Sequence, residues 1–213
     1  MRIAAGVHPH NAKSYDADME RFLLELLSDK RTSALGEVGL DYHYDFSPRE
    51  VQRDVFRRQV QIAHETGLPL ILHMREAHDD GFHILEEEGF PSAGVLLHCF
   101  NLDWEELERW VERDCFIAFG GPLTFKKADY VRDAAARVPL DHLLTETDSP
   151  YMTPEPLRGT VCEPAHVIWT ADKLAEVLGC EDHDKRVMLG KTYRNALDLL
   201  DRDPTPWQVE HGA

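Results

Sequence analysis

Short apolar runs alternate with longer amphipathic segments along almost the whole chain, and this alternation limits the possible folds more than any other feature. The runs show little polar–apolar alternation of their own, which is typical of strands buried on both faces of a parallel sheet. They predict six strands, over residues 2–7, 33–38, 68–72, 94–97, 116–119 and 143–146. Strictly alternating strands and helices favour a parallel α/β fold, either as an open sheet or as a closed barrel.

Helical periodicity occupies the intervals between these strands. Residues 16–28 carry apolar side chains at i, i+3, i+4, i+7 and i+8, which form one face of a helix. Ser47 and Pro48 predict the start of the next helix, with Ser47 as its N-cap, and Gly67 predicts its end. Further helices are predicted over residues 76–88, 103–113, 126–137, 164–178 and 182–200, and the segment from Asp203 onward is predicted to be a tail.

Composition narrows the class of protein. A length of 213 residues fits one domain or two small ones, and we expect a single domain over residues 1–213. No apolar stretch is long enough to span a membrane or form the core of a signal peptide. The four cysteines form no C-x-x-C pair, so we expect reduced thiols and a cytoplasmic location without a membrane partner. The net charge of −16 argues against broad electrostatic binding of nucleic acid, although bound metal ions supply positive charge locally.

Ionisable side chains lie at the carboxyl ends of four of the predicted strands or just after them. They are Glu37, His73, His98 and Asp148, separated by 36, 25 and 50 residues, which correspond to one, one and two β/α units. Parallel α/β folds place their active sites at the carboxyl ends of the strands. Histidine nitrogens together with carboxylates suit Zn²⁺, Mn²⁺ or a similar ion, so the spacing predicts one shared metal site.

Each of these residues also has an ordinary structural interpretation, such as a hydrogen-bonded histidine or a carboxylate that caps a turn. Their recurrence at equivalent strand ends favours the metal site. His8 and His10 form an H-x-H pair after the first strand, which projects both rings to one side of an extended chain. For this pair, metal ligation and substrate contact are both open.

Five segments together resemble the signatures of the TatD family of metal-dependent deoxyribonucleases, which are amidohydrolase-like TIM barrels. They are GVHPH at 6–10, GEVGLDY at 36–42, HMREA at 73–77, HCF at 98–100 and TETDSPY at 145–151. The resemblance implies two divalent ions, sometimes three, of Zn, Mn or Mg. It makes Glu37 a catalytic carboxylate that bridges or contacts the metals.

The same resemblance assigns roles to the other residues. His73 and His98 would bind one ion, while Asp148 would bind the other and hold or deprotonate the attacking water. Arg75 and the loop of His8 and His10 would lie where substrate phosphates approach.

Two features of the family are missing from this sequence. Family members begin with a strand carrying Asp-x-His-x-His, then a helix and a second strand, whereas this sequence starts at what resembles the third strand. Cys162 also stands before Glu163-Pro164, where the family usually has asparagine. We therefore expect an incomplete TIM barrel with six of its eight β/α units, and self-association through its open sheet edges.

The expected function is metal-dependent hydrolysis of phosphodiester bonds in DNA, with single strands or strand ends as substrate. Two alternatives stay open. The same metal chemistry serves an amidohydrolase, esterase or lactonase that acts on a small molecule. The other alternative is an inactive truncated remnant.

Overall fold

The computed structural model describes residues 1–212 and has an α/β fold with a six-stranded parallel sheet. The sheet order is β1-β2-β3-β4-β5-β6. The strands are β1 (Ile3–Ala5), β2 (Thr32–Asp41), β3 (Leu70–Arg75), β4 (Val95–Leu97), β5 (Phe116–Phe119) and β6 (Leu143–Thr145). The predicted α/β class and all six strands are confirmed.

One helix follows each of the first five strands, and three helices follow β6. The helices are α1 (Ala17–Ser28), α2 (Arg49–Thr66), α3 (His78–Glu88), α4 (Trp104–Val111), α5 (Asp129–Arg137), α6 (Val167–Val177), α7 (Asp182–Leu200) and α8 (Pro206–His211). Short 3-10 turns lie at Pro9–Ser14, Gly121–Thr124, Leu140–His142 and Pro164–His166. Within residues 1–212, none of the helices combines the length and the apolar character needed to cross a bilayer.

The chain divides into two compact units. Unit 1 contains Met1–Leu96 and the C-terminal segment from Asp198, and unit 2 contains Leu97–Leu197. In unit 1, β2 pairs in parallel with β1 and β3 and buries every residue except the partly exposed Glu37. In unit 2, β5 pairs in parallel with β6, and Trp110 and Phe119 are fully buried in the core.

Close backbone contact between β2 and β3 fixes the position of His73. Gly39 is paired with His73 and has a φ of 135°, in the region that favours glycine. A Cβ at Gly39 would lie 2.2 Å from the carbonyl oxygen of His73. Glycine is therefore required at this position, and it lets the strand that carries Glu37 pack directly against the strand that carries His73.

The N-cap predicted for α2 is wrong. Pro48 occupies the cap position and no side chain bonds to the first turn. The hydroxyl of Ser47 instead accepts a hydrogen bond from the Lys13 backbone N–H (3.0 Å) and donates one to the His10 carbonyl (3.0 Å). Because Ser47 is fully buried, its hydroxyl needs such partners, and the bonds fix the turn that carries His10.

The predicted C-terminal tail is also wrong, because α8 forms there. Thr205 and Gln208 make a reciprocal capping box at its start. The Gln208 side chain is buried, and its amide donates to the carbonyls of Leu27 (2.8 Å), Asp29 (3.1 Å) and Thr32 (2.9 Å). A helix of six residues is too short to show a clear apolar period, so its capping box was the available signal.

Candidate metal centre

Unit 1 gathers three histidines around two carboxylates. Ligand-capable ring nitrogens of His8, His10 and His73 all lie within 4.8 Å of one another. The two carboxylates, Glu37 and Asp41, lie on β2, while His73 lies on β3. His8 and His10 flank Pro9 at the start of the first 3-10 turn, which follows β1.

Asp41 is the anchor of this cluster. Its side chain is fully buried, and Oδ2 lies 2.9 Å from Nε2 of both His10 and His73. Its Oδ1 accepts from the backbone N–H groups of Tyr44 (2.8 Å) and His43 (3.1 Å). Burial alone raises the pKa of Asp41, but the bonds from Tyr44, His73 and His10 outweigh it and hold that pKa at about 2.

The ionised state of Asp41 determines which nitrogen of His73 can reach a metal. A carboxylate only accepts hydrogen bonds, so His73 donates from Nε2 and, as a neutral ring, keeps a lone pair on Nδ1. That Nδ1 lies 3.7 Å from Oε2 of Glu37. His73 and Glu37 thus present a nitrogen and an oxygen of the types that bind divalent ions.

His8 offers an N–H hydrogen-bond donor to the site, in contrast to the nitrogen lone pair of His73. Burial, and then repulsion from the rings of His73 and His10, lower its pKa to about 4, so the ring is neutral at pH 7. Its Nδ1 accepts from the His10 backbone N–H at 3.2 Å, which leaves the ring proton on Nε2, 3.8 Å from Oε2 of Glu37. This arrangement favours contact with a substrate oxygen over metal ligation for His8.

Unit 2 contains a second cluster, built on the residues that follow β4 and β6. Nδ1 of His98 lies 2.9 Å from Oε2 of Glu146, and the Cys99 backbone N–H donates to Oε1 of Glu146 at 2.6 Å. Ligand-capable atoms of His98, Cys99 and Glu146 all lie within 4.8 Å of one another. Nε2 of His98 lies 3.5 Å from Oδ1 of Asp148.

In both clusters a carboxylate holds one ring nitrogen of a histidine, but the nitrogen that is held is Nε2 in unit 1 and Nδ1 in unit 2. Asp41 accepts from Nε2 of His73 and leaves Nδ1 toward Glu37, whereas Glu146 accepts from Nδ1 of His98 and leaves Nε2 toward Asp148. A metal-binding histidine commonly donates its other ring N–H to a carboxylate, which fixes the tautomer and the ring orientation. The chemistry of both donor sets therefore fits a divalent metal ion.

The predicted site residues are distributed over both units. Unit 1 brings Glu37 and His73 together with the H-x-H pair, and unit 2 brings His98 and Asp148 together. One site shared by all four predicted ligands stays a prediction. Arg75 ends β3, with its guanidinium carbon 4.7 Å from the centroid of the Tyr44 ring.

Asp41 and Glu146 were not assigned a role from the sequence. Both lie inside the segments that carry the resemblance, at even spacing from a predicted site residue. Asp41 is four residues after Glu37, and Glu146 is two residues before Asp148. Even spacing puts side chains on the same side of an extended chain, which was the available signal.

Comparison with protein families gives a match over nearly the whole chain. The model of the family described as "TatD related DNase" matches residues 1–200. Among individual proteins, the chain is 40% identical over 174 residues to the uncharacterized metal-dependent hydrolase YabD of Bacillus subtilis, covering 82% of this chain and 68% of YabD. It is 32% identical over 199 residues to the human 3'-5' RNA nuclease TATDN2, covering 92% of this chain and 26% of that protein.

Comparison with a solved structure of a TatD homologue shows that the fold is similar as well. The TatD homologue YJJV of Escherichia coli superposes with a TM-score of 0.84 at 27% identity, over 94% of this chain and 77% of that chain. The chain spans about two thirds of the length of YabD and of the E. coli metal-dependent hydrolase YcfH, to which it is 41% identical over 178 residues, or 83% of this chain.

Proposed function

The chain belongs to the TatD-related DNase family, and from this premise we propose that it hydrolyses phosphodiester bonds of nucleic acid with the help of bound divalent metal ions. One observation carries the proposal: two imidazoles each have one nitrogen held by a carboxylate and the other directed to a second carboxylate. The naming of relatives as metal-dependent hydrolases supports the reaction type. The naming of a human relative as an RNA nuclease supports the substrate class.

The chain offers ligands for two ions, for which Zn²⁺, Mn²⁺ and Mg²⁺ are candidates. His73 through Nδ1 and Glu37 would contribute to holding metal in unit 1, and His98 through Nε2 and Asp148 in unit 2. Bound divalent ions polarise a phosphoryl oxygen and lower the pKa of a bound water molecule.

The protein's own groups then perform the remaining tasks. Asp148 accepts the proton of the attacking water, as a general base of the kind that a carboxylate beside a metal can be. The Nε2–H of His8 donates a hydrogen bond to a phosphate oxygen. Arg75 offers a guanidinium to a neighbouring phosphate, for which its planar donors are suited.

Activity of the metal-loaded chain tests the proposal. Single-stranded oligonucleotides and a panel of small esters and lactones are incubated with the wild-type chain and with Asp148→Asn. We expect the wild type to cleave the oligonucleotides and Asp148→Asn to lose this activity by about a hundredfold or more, because no general base remains to take the proton. Asp203→Asn, at an exposed aspartate, is the matched control and should behave as the wild type.

Three results would contradict this scheme. Wild-type rates in Asp148→Asn, with an unchanged circular dichroism spectrum, would remove Asp148 from the mechanism. Turnover of esters or lactones without cleavage of oligonucleotides would favour the second candidate, a small-molecule hydrolase, which the net charge of −16 supports. Turnover of neither class by the metal-loaded protein would contradict both hydrolase functions.

A further inference from the structure

Two exposed aromatic rings stack on each other in the loop between β2 and α2. The rings of Tyr44 and Phe46 have centroids 5.2 Å apart and planes inclined by only 19°. Tyr44 is 47% exposed and Phe46 is 55% exposed. Large aromatic faces of this kind are costly to leave in water unless a ligand covers them.

The aromatic pair borders the histidine cluster of unit 1. The ring of His10 contacts both members, with its centroid 5.4 Å from Tyr44 and 4.9 Å from Phe46. The His10 ring lies in turn 4.3 Å, centroid to centroid, from the ring of His8, which is proposed to contact a phosphate oxygen, so the aromatic pair borders that part of the site.

The backbone on both sides of the pair is fixed. The N–H of Tyr44 donates to the buried Asp41, and Phe46 is followed directly by the buried Ser47, whose hydroxyl bonds to two backbone groups of the first 3-10 turn. The rings are therefore presented by an anchored segment, so that binding a ligand costs little additional ordering.

A positively charged side chain, Arg75, lies beside the aromatic pair. The guanidinium of Arg75 lies 4.7 Å from the centroid of Tyr44, and within residues 1–212 no carboxylate forms an ion pair with it. Arg49, which stacks on Tyr42 nearby in the sequence, is by contrast neutralised by Asp45 at 2.7 Å. Arg75 thus keeps its positive charge available in a strongly acidic chain.

We propose that Tyr44 and Phe46 form a stacking platform for an unpaired base of single-stranded nucleic acid, with Arg75 contacting a phosphate of the same strand. This inference rests on the proposed function and specifies the form of its substrate. Aromatic faces bind bases of any sequence, because every base has a π-face, and arginine adds both charge and planar contact. Paired bases in a duplex are already stacked on both sides, so the platform selects single strands and frayed ends.

Fluorescence of a base analogue tests the platform. A short oligonucleotide with one 2-aminopurine and phosphorothioate linkages, which resist hydrolysis, is titrated against the metal-loaded chain in DNA and in RNA form. Stacking quenches 2-aminopurine, so we expect quenching by the wild type with at least one of the two strands. Phe46→Ala should weaken binding about ten- to a hundredfold and abolish the quenching, while Phe46→Trp restores both.

Two controls separate stacking from general effects. Phe22→Ala removes a comparably exposed phenylalanine (54%) from α1 and should leave binding and quenching unchanged. An oligonucleotide with abasic sites in place of bases should bind the wild type and Phe46→Ala equally. Loss of affinity for the abasic strand as well would assign Phe46 a structural role and overturn the platform.

The platform and the proposed function fail in different ways. Absence of quenching with both strands, or equal affinity of the wild type and Phe46→Ala, overturns the platform even when the chain hydrolyses oligonucleotides. Quenching that depends on Phe46, in a chain that hydrolyses no nucleic acid, supports the platform and overturns the proposed function.

Discussion

Glu146 holds two groups at once, the ring of His98 through one oxygen and the backbone N–H of Cys99 through the other. When the lone pair of the His98 ring is on Nε2, its Nδ1–H and the Cys99 N–H are both donors. Both oxygens of Glu146 must therefore accept hydrogen bonds. A glutamine at this position offers one acceptor and one donor, and its amide N–H would face a donor. We therefore expect Glu146→Gln to weaken metal binding about ten- to a hundredfold, the usual effect of removing such a partner.

Calorimetric titration with Mn²⁺ measures the affinity, and ¹⁵N spectra of the imidazole in metal-free protein report which nitrogen carries the proton. Glu112→Gln, at an exposed glutamate of unit 2, is the matched control. Unchanged affinity and an unchanged His98 tautomer in Glu146→Gln would show that Glu146 does not position the ring.

At the residue scale, the sequence could indicate that charged groups collect at strand ends but not how they pair. Glu37 and Asp41 share β2, and nothing in their residue types distinguishes a metal-facing carboxylate from one that holds imidazoles. The distinction depends on burial and on which ring nitrogen lies 2.9 Å from Asp41, and both follow from side-chain packing. The donor role of His8 likewise depends on one backbone hydrogen bond at Nδ1.

Between elements, the clearest electrostatic link joins α1 to α2. Arg58 lies 2.7 Å from Oε1 of Glu20 through Nη2, and the hydroxyl of Tyr15 donates to Oε2 of Glu20 at 2.8 Å. The bond from Arg58 is the main reason that the pKa of Glu20 is lowered from its ordinary value of 4.5. As the pH falls below that value, the unfolded chain takes up a proton at Glu20 before the folded chain does.

The stability contributed by this pair is therefore complete above about pH 4.5 and is lost as the pH falls through the lowered pKa of Glu20. We expect Glu20→Gln to lower the free energy of unfolding by about 1 kcal/mol at neutral pH, with a smaller difference in acid, because the pair is partly exposed. Urea titrations at several pH values measure this. Glu25→Gln, at an exposed position of α1, is the control, and an equal loss at acid and neutral pH would contradict the assignment.

At the element scale, the strands and most helices were predictable. Buried parallel strands appear in the sequence as apolar runs, and the residues that cap a helix lie next to it in the sequence. Asp16 and Asp103 cap α1 and α4, each accepting from a backbone N–H three residues later. Ser47 has the same local pattern and fails, because its buried hydroxyl is engaged by the turn at Lys13 and His10. A local sequence pattern cannot show that residues distant in the sequence compete for the hydrogen bonds of a capping side chain.

On the scale of the whole molecule, β1 and β6 end the sheet order. Both are three residues long, and a short edge strand offers few unpaired backbone groups to another chain. Self-association through these edges stays a prediction of the sequence. The short length of both strands argues that any such association is weak.

The net charge of −16 determines how binding of a single strand responds to salt. Each phosphate that a cation neutralises adds a slope of about −0.7 to log affinity against log salt for single strands. With Arg75 as the one cationic contact and with stacking as the main attraction, we expect a slope of about −0.7 at constant metal concentration. Screening of the repulsion between an acidic protein and phosphate flattens the slope further.

Titration of the phosphorothioate oligonucleotide at several concentrations of monovalent salt measures this slope. Arg75→Gln should bring it close to zero, because the one phosphate contact is removed while the stacking of a base on Phe46 is insensitive to salt. Lys30→Gln, at an exposed lysine of unit 1, should leave it unchanged. A slope of about −5 in the wild type would mean that many cationic side chains contact the strand, and recognition would then depend on phosphate rather than on the exposed aromatic pair.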